Sequence, residues 1–368
     1  MADLKRIVRI GDAQIGETAP VWIIAEVGVN HNGDLGLALE LVHAAKECGA
    51  ACVKFQTFRS ERVVTRASPK AKYQLETTSV DESQFEMLKK LELDHDAFVR
   101  IAEECARAGI AFLSTPYGIE DVDLLESVDS PAYKIASALA VEPPLLEKVA
   151  ATGKPVLLST GMCTMDEVRT AVQTLVHGGC EELVIFQCTT DYPSRLDEAN
   201  LRVIASLREQ FQCPVGYSDH SEGLLATTAA VALGACAIER HFTLDRSMPG
   251  PDHLASSDPA EMRLLVEAVR NVETALGSGT KSPTARESVN RKNMRRGIVA
   301  ARGLSAGHRL ELRDLAFKRP LQGIAPDNYE RVIGRCLKRD VAADEPISWG
   351  DLELGELELS DPALGDLE

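Results

Sequence analysis

The feature that most constrains the fold is a repeat. Between residues 21 and 276, eight short apolar segments of strand length are separated, in most cases, by amphipathic segments of helix length. The predicted strands are residues 21–25, 52–55, 110–113, 132–136, 155–158, 183–187, 214–217 and 235–238. Eight β-then-α units over about 250 residues are typical of a closed (β/α)8 barrel. An open doubly wound sheet is the alternative, but the count of eight favours closure. We therefore predict an α/β fold with a TIM-barrel catalytic domain over residues 1–276.

The composition excludes several classes of protein. The 368 residues are 45% hydrophobic and 26% charged, which is ordinary for a soluble globular protein. No apolar run approaches the roughly 20 residues of a membrane span, and the net charge of −16 argues against a nucleic-acid partner. The nine cysteines form no CxxC pair, which indicates reduced thiols. We predict a cytoplasmic protein with no membrane partner.

Polar side chains stand at the carboxyl ends of the predicted strands, where TIM barrels carry out chemistry. Lys54 and Lys134 lie on strands, although lysine is almost never fully buried without a partner. Together with hydroxyl groups, two lysines make a cradle for a phosphate and a carboxylate. A lysine that forms a Schiff base is the alternative. The other polar residues at these strand ends include Glu26, Gln56, Ser114, Thr115, Ser137 and Thr190.

Two histidines occupy matching positions on consecutive strands. His220 lies just past residues 214–217, and His241 lies just past residues 235–238. Two imidazoles on neighbouring strand ends can hold a divalent metal and leave coordination positions open. Two unrelated surface or capping histidines are the alternative.

The connection from Thr57 to Asp94 is far too long for an ordinary loop between a strand and a helix. Its basic, aromatic and amide residues favour a lid over an anionic substrate. A helical insertion without a role in the site is the alternative.

A series of motifs follows along nearly the whole chain in a fixed order. The motifs are Ile24-Ala-Glu-Val-Gly-Val-Asn-His-Asn-Gly33, Val53-Lys-Phe-Gln56, Lys70-Ala-Lys-Tyr-Gln74, Leu113-Ser-Thr-Pro116, Tyr133-Lys-Ile-Ala-Ser137, Leu158-Ser-Thr-Gly-Met162, Gly216-Tyr-Ser-Asp-His220 and Pro249-Gly-Pro-Asp-His253. This series resembles the sialic acid synthases, which include N-acetylneuraminate synthases and relatives that make legionaminic and pseudaminic acids. Any one motif alone would be weak, but the ordered series is not expected by chance.

The resemblance implies a transferase that condenses phosphoenolpyruvate with the open aldehyde form of an N-acyl hexosamine. The enol carbon C3 attacks the aldehyde, water adds at C2, and phosphate leaves with cleavage of the C–O bond. A Schiff-base aldolase on the same barrel and a non-catalytic sugar-binding protein are the other hypotheses.

The resemblance also implies roles for individual residues. Glu26, Lys54 and Lys134 would be catalytic, with Glu26 handling protons or positioning the attacking water. His220 and His241 would hold a divalent metal, with Mn2+ preferred and Mg2+ or Co2+ as alternatives. The substrates would be bound by Gln56, Ser114, Thr115, Ser137, Thr190, Ser218, Asp252 and Arg319.

The resemblance extends to the C-terminal part of the chain. Residues 277–290 have a linker composition, and the Gly- and Pro-rich residues 291–354 resemble the small antifreeze-like (SAF-type) domain of these synthases. Residues 355–368 form an acidic tail. The resemblance implies a domain-swapped homodimer in which this domain caps the partner's site and Arg319 reaches the sugar. A surface cation is the alternative for Arg319.

One position departs from the family pattern. Where many members carry an acid that contacts the amino sugar, this chain has Leu139, in the run Ala136-Ser-Ala-Leu139. A leucine facing the sugar would favour a less polar substrate, such as a 6-deoxy hexose, over N-acetylmannosamine.

Overall fold

The computed structural model describes residues 4–70, 75, 78 and 81–353. The chain divides into two compact units, of which the first ends at Ser278 and the second begins at Gly279. The predicted acidic tail, residues 355–368, lies outside the described residues, as do residues 71–74 of the lysine-tyrosine motif. No described helix is both long enough and apolar enough to cross a bilayer.

The first unit contains an eight-stranded parallel sheet preceded by a hairpin of β1 (Val8–Ile10) and β2 (Ala13–Ile15). Hydrogen-bonded neighbours follow the order β5-β4-β3-β10-β9-β8-β7-β6, and β5 and β6 lie against each other, which closes the barrel. All eight predicted strands and the barrel fold are confirmed. The barrel strands are β3 (Trp22–Gly28), β4 (Cys52–Thr57), β5 (Ala111–Pro116), β6 (Tyr133–Ile135), β7 (Val156–Ser159), β8 (Leu183–Cys188), β9 (Val215–Asp219) and β10 (Ala237–His241).

Helices surround the barrel, and several begin at a side chain that caps the first turn. Asp34, Asp94, Thr164 and Asp258 each accept a hydrogen bond from a backbone amide of the helix that follows. The described helices of this unit are α1 (Leu35–Glu47), α2 (Ser60–Val63), α3 (Gln84–Lys89), α4 (His95–Ala108), α5 (Ile119–Ser127), α6 (Pro143–Ala150), α7 (Met165–His177), α8 (Val203–Phe211), α9 (Leu225–Ala232) and α10 (Pro259–Leu276).

The barrel interior changes character along the strands. Near the amino ends, inward side chains such as Trp22, Leu113 and Phe186 form an apolar cluster with Val8 and Ile15 of the hairpin. The hairpin therefore closes this end with apolar contacts. Because side chains alternate along a strand, the next inward positions of the same strands are polar and lie toward the carboxyl ends. They include Glu26, Lys54, Thr115 and Glu239.

The second unit has its own core. Strands β11 (Gly297–Ala300) and β12 (Leu315–Lys318) pair antiparallel, and eleven apolar side chains are buried together, among them Ile298, Leu310 and Ile347. Gly323 has φ +68°, and a Cβ at this position would lie 2.3 Å from the carbonyl oxygen of Ile347. Only glycine fits this close approach of two backbone segments.

The residues predicted as a linker, 277–290, include the start of a helix. Helix α11 (Ala285–Met294) begins at a capping box in which Thr284 and Glu287 each accept from the other's backbone amide. The Thr-x-x-Glu pattern that begins this helix is present in the sequence, but the preceding Gly-Ser-Gly-Thr run favoured the interpretation of a linker. A short helix α12 (Tyr329–Val332) completes the described helices of this unit.

Candidate active site

A cavity of about 700 Å³ opens at the carboxyl ends of the barrel strands. Such a volume is typical of small-molecule sites. The cavity brings together eleven of the residues predicted from the sequence: Glu26, Lys54, Gln56, Thr115, Lys134, Ser137, Thr190, Ser218, His220, His241 and Asp252. Five residues of the long connection after β4 also line it, namely Phe58, Val63, Val64, Gln84 and Leu88. The connection is therefore part of the cavity wall.

The floor of the cavity is a network of buried charges. Lys54 Nζ lies 2.8 Å from Glu26 Oε2 and 3.9 Å from Glu239 Oε2, and Lys134 Nζ lies 3.2 Å from Glu239 Oε1. Lys54 also donates to Thr115 Oγ1 at 3.2 Å, and Lys134 donates to Ser159 Oγ at 2.7 Å. Each of the four charged residues is at most 5% exposed. Paired carboxylates explain how both lysines remain inside the barrel.

The charges on the floor shift one another's pKa values. Burial disfavours the charge on Glu239, but Lys134 and Lys54 outweigh it and lower the pKa of this carboxyl to about 2. Burial also opposes the charge on Lys54, while Glu239 and Glu26 raise its pKa to about 12. For Lys134, burial prevails and lowers the pKa. For Glu26, burial, aided by Glu239, raises the pKa against the effect of Lys54.

Glu239 was missed as a site residue. It carries one of the two buried carboxylates on the floor and also accepts from Ser218 Oγ at 3.2 Å. The sequence did contain a signal, because Glu239 stands two residues before His241. Residues two positions apart on a strand point to the same face. Because the side chain of His241 faces the cavity, that of Glu239 faces it too.

The two histidines face each other above the floor. Their ring centroids are 5.5 Å apart, and the ring of Tyr192 lies 4.3 Å from that of His220. His220 Nδ1 lies 2.8 Å from the carbonyl oxygen of Thr189, so this nitrogen carries a proton, and Nε2 lies 3.5 Å from Ser218 Oγ. His241 Nδ1 is buried, makes no hydrogen bond within the described chain, and lies 3.8 Å from Asp252 Oδ2.

The donor set fits a divalent metal with open positions. A carbonyl that fixes the tautomer of one imidazole is the usual support of a metal-ligating histidine, and the unpartnered nitrogen of His241 with the nearby Asp252 supplies further donors. Burial, aided by Glu26, raises the pKa of Asp252 to about 7. Residues 4–70, 75, 78 and 81–353 contain no cluster of three or more His, Cys, Asp or Glu side chains that could hold a metal ion. The protein thus offers two imidazoles and leaves most of the coordination sphere open.

A buried ion pair holds the two histidine-bearing strands together. Asp219 Oδ2 accepts from Arg240 Nη1 at 2.9 Å, and Asp219 Oδ1 accepts from the amide and hydroxyl of Ser221 at 2.8 and 2.7 Å. Asp219 and Arg240 each neighbour a histidine in the sequence. Their pairing therefore fixes the relative position of His220 and His241.

The prediction that Ser114 lines the site is wrong. Its Oγ lies 2.7 Å from Thr57 Oγ1, and both side chains are buried away from the cavity. In the β4–β5 register, Ser114 stands opposite Phe55, while Thr115 stands opposite Gln56. Since neighbouring strand residues face opposite sides, only Thr115 can face the cavity.

The prediction that Leu139 faces the sugar is also wrong. Leu139 ends a single helical turn, Ser137–Leu139, and its side chain is 5% exposed within the main hydrophobic core. The neighbouring Ala138 lines the cavity instead. The argument for a 6-deoxy sugar that rested on Leu139 therefore does not hold.

Gly161 allows two hydroxyls to approach the turn after β7. A Cβ at this position would lie 2.2 Å from Thr190 Oγ1 and 2.9 Å from Ser137 Oγ. The Ser137 hydroxyl accepts a hydrogen bond from the Gly161 amide at 2.9 Å. Any side chain here would displace two of the cavity hydroxyls.

Arg319 belongs to the second unit. It is exposed, and among the described residues it makes no hydrogen bond and no ion pair.

Comparison with known proteins agrees with the resemblance seen in the sequence. Residues 41–281 match the NeuB family, and residues 295–353 match the SAF domain. N,N'-diacetyllegionaminic acid synthase of Legionella pneumophila is 43% identical over 342 residues, which cover 92% of this chain and 96% of the relative. N-acetylneuraminate-9-phosphate synthase of Mus musculus is 35% identical, with 90% of this chain and 93% of the relative covered. The crystal structure of the N-acetylneuraminic acid synthetase from Leptospira borgpetersenii, 32% identical, superposes with a TM-score of 0.69 over 79% of this chain and 96% of that one. The chain therefore belongs to the NeuB family, with a SAF domain after its barrel.

Proposed function

We propose that the chain is a sialic-type acid synthase, a transferase that condenses phosphoenolpyruvate with an N-acyl hexosamine and water and releases phosphate. The main observation that supports this proposal is that two buried lysines and two histidines line the same cavity. The 43% identity to an N,N'-diacetyllegionaminic acid synthase favours 2,4-diacetamido-2,4,6-trideoxymannose as the sugar.

The lysines and hydroxyls on the floor are suited to the phosphate and carboxylate of phosphoenolpyruvate. Lys54 and Lys134 stand on opposite sides of Glu239, and Thr115 and Ser159 each accept from one of them. Donors of this kind make charge-assisted hydrogen bonds to anions. A bound substrate anion would take over contacts that the two glutamates make in the free protein.

His220 and His241 would hold the divalent metal, with Asp252 beside them; we propose Mn2+, with Mg2+ or Co2+ as alternatives. When bound, such an ion acts as a Lewis acid that polarises the sugar aldehyde. Glu26 contacts Lys54 and Gln56 and stands opposite His241 in the pairing of β3 with β10. A carboxyl with a raised pKa is suited to moving the proton of the water that adds at C2.

The bonds that form and break in the proposed reaction can be accommodated by these residues. The C3–C1 bond forms between the enol and the aldehyde, water supplies the new oxygen at C2, and the C–O bond to phosphate breaks. Gln56, Thr190 and Ser218 line the remaining space and would orient the two substrates.

Turnover with defined substrates tests the proposal. Phosphate release from phosphoenolpyruvate should require an N-acyl hexosamine and a divalent metal. Borohydride trapping with pyruvate, which would label the lysine of a Schiff-base aldolase, should leave the protein unmodified. Labelling by pyruvate, or phosphate release that no hexosamine stimulates, would contradict the proposed reaction.

We further propose a cytoplasmic homodimer in which Arg319 of one chain completes the partner's site. All nine cysteines are free, which supports a reducing compartment. The free guanidinium of Arg319 and the match to the SAF domain support the exchange.

Mixing two inactive variants tests the exchange. Arg319→Ala and Glu26→Ala, mixed under conditions of subunit exchange, should regain activity at about a quarter of the sites, because half the dimers are mixed and each has one intact site. Steady-state phosphate release measures the gain, and each variant alone is the control. Absence of any gain despite proven exchange would show that Arg319 does not serve the partner's site.

A further inference from the structure

One wall of the cavity has a different character from its floor. Five apolar side chains, Val29, Phe58, Val63, Val64 and Leu88, line the cavity, and we call them the apolar wall. Val29 and Phe58 form a small buried cluster with Leu91, against which Val63 and Leu88 pack. This cluster is separate from the main core of the barrel.

Contacts between side chains place the apolar wall above the reacting groups. Val29 directly follows β3 and Phe58 directly follows β4, so both lie past the strand ends that carry Glu26 and Gln56. The ring of Phe58 meets the edge of Tyr117 at 6.0 Å, Tyr117 donates to Gln56 Oε1 at 3.4 Å, and Gln56 donates to Glu26 Oε1 at 3.1 Å. The wall therefore lies on the rim side of Glu26.

The reaction fixes which end of the sugar meets the wall. The aldehyde C1 must reach the enol carbon at the floor, so the distal carbons C4 to C6 extend toward the rim. A hydroxyl pressed against valine, leucine and phenylalanine side chains loses its hydrogen bonds to water without gaining others. A methyl or an N-acyl methyl group gains apolar contact at the same place.

We propose that the apolar wall is the specificity-determining surface for the distal end of the sugar. It selects hexosamines that carry a 6-methyl and a 4-acylamino group in place of hydroxyls. This inference rests on the proposed synthase function. It replaces the role that the sequence had assigned to Leu139, and it assigns sugar choice to Val29 after β3 and to four described residues after β4.

Nearly isosteric substitutions test the wall. Val63→Thr and Val64→Thr, alone and combined, add hydroxyls without changing the shape much. Against wild type, the double variant should shift the ratio of kcat/KM for 2,4-diacetamido-2,4,6-trideoxymannose to that for N-acetylmannosamine by about tenfold toward the latter. The KM for phosphoenolpyruvate should not change, because the wall does not reach the floor. Val141→Thr, at an exposed position, is the matched control and should leave the ratio unchanged.

Binding of the corresponding alditols separates this inference from the proposed function. These compounds lack the aldehyde and cannot condense, so their calorimetric affinities report on binding without the reaction, and the difference between the two alditols reports on the wall. Wild type should bind the alditol of the diacetamido-trideoxy sugar more tightly than the alditol of N-acetylmannosamine. The double variant should lose that preference. If wild type released no phosphate with either sugar, the proposed function would fail, and the alditol affinities would still decide the role of the wall. Equal affinities in wild type, or a kcat/KM ratio that the double variant leaves unchanged, would overturn the inference.

Discussion

Removal of either cavity histidine, by His220→Ala or His241→Ala, is expected to lower kcat by at least about 100-fold while the barrel stays folded. Loss of a residue that merely supports a metal ligand costs about 10- to 100-fold, and loss of the ligand itself should cost no less. Both rings contact Tyr192 at the mouth of the barrel, far from the apolar cluster that closes its other end. Folding therefore does not depend on them.

Chelation should have the same effect as these substitutions. Wild type treated with a chelator should lose turnover and regain it with Mn2+, and the amount of bound Mn2+, measured by electron paramagnetic resonance, should fall in both variants. His95→Ala is the matched control, because the His95 side chain is 53% exposed. Full activity in the presence of chelator, or undiminished Mn2+ binding by both variants, would contradict the metal assignment.

The substitution Leu139→Glu is expected to destabilise the fold by about 3–5 kcal/mol, because it places a carboxyl group without a partner in the core, where the group must either carry an unpaired charge or be kept protonated. Urea unfolding measures this loss. The pKa of the buried carboxyl would be raised, so the folded state would hold a proton that the unfolded state releases near pH 4. Stability of the variant should therefore fall, relative to wild type, as the pH rises above that value.

An exposed position nearby gives the control for this prediction. Val141 is 54% exposed, and Val141→Glu should change the unfolding free energy by no more than about 0.5 kcal/mol. A Leu139→Glu variant as stable as wild type would show that this side chain reaches solvent or the cavity.

Much of the barrel could be predicted because its signal is repeated. Eight strands with helices between them leave few alternatives, and the position of a polar residue just past a strand already places it at the active edge. For this reason Glu26, Lys54 and His241 could be assigned to one site although they are far apart in the sequence.

The direction in which an individual side chain points, toward the cavity or toward the core, could not be predicted in the same way. Ser114 and Thr115 are adjacent and both polar, and only the register of β5 against β4 decides which one faces the cavity. Leu139 is the last residue of a single helical turn that comes after a strand of only three residues, so the alternation of the strand no longer fixes its direction. Glu239 is a different case, because it stands two residues before His241 on the same strand and its direction follows from the alternation.

The near neutrality of the cavity floor affects how an anionic ligand binds. Two ammonium groups and two carboxylates nearly neutralise each other, so an entering anion meets little net attraction from the floor as a whole. Burial of an uncompensated charge costs free energy, so entry of the anion is favoured when a cation or a proton enters with it, and Glu26, whose pKa is already raised, is placed to accept that proton. The occupancy of the anion site and the protonation of this carboxyl are therefore thermodynamically linked, so that each alters the equilibrium of the other.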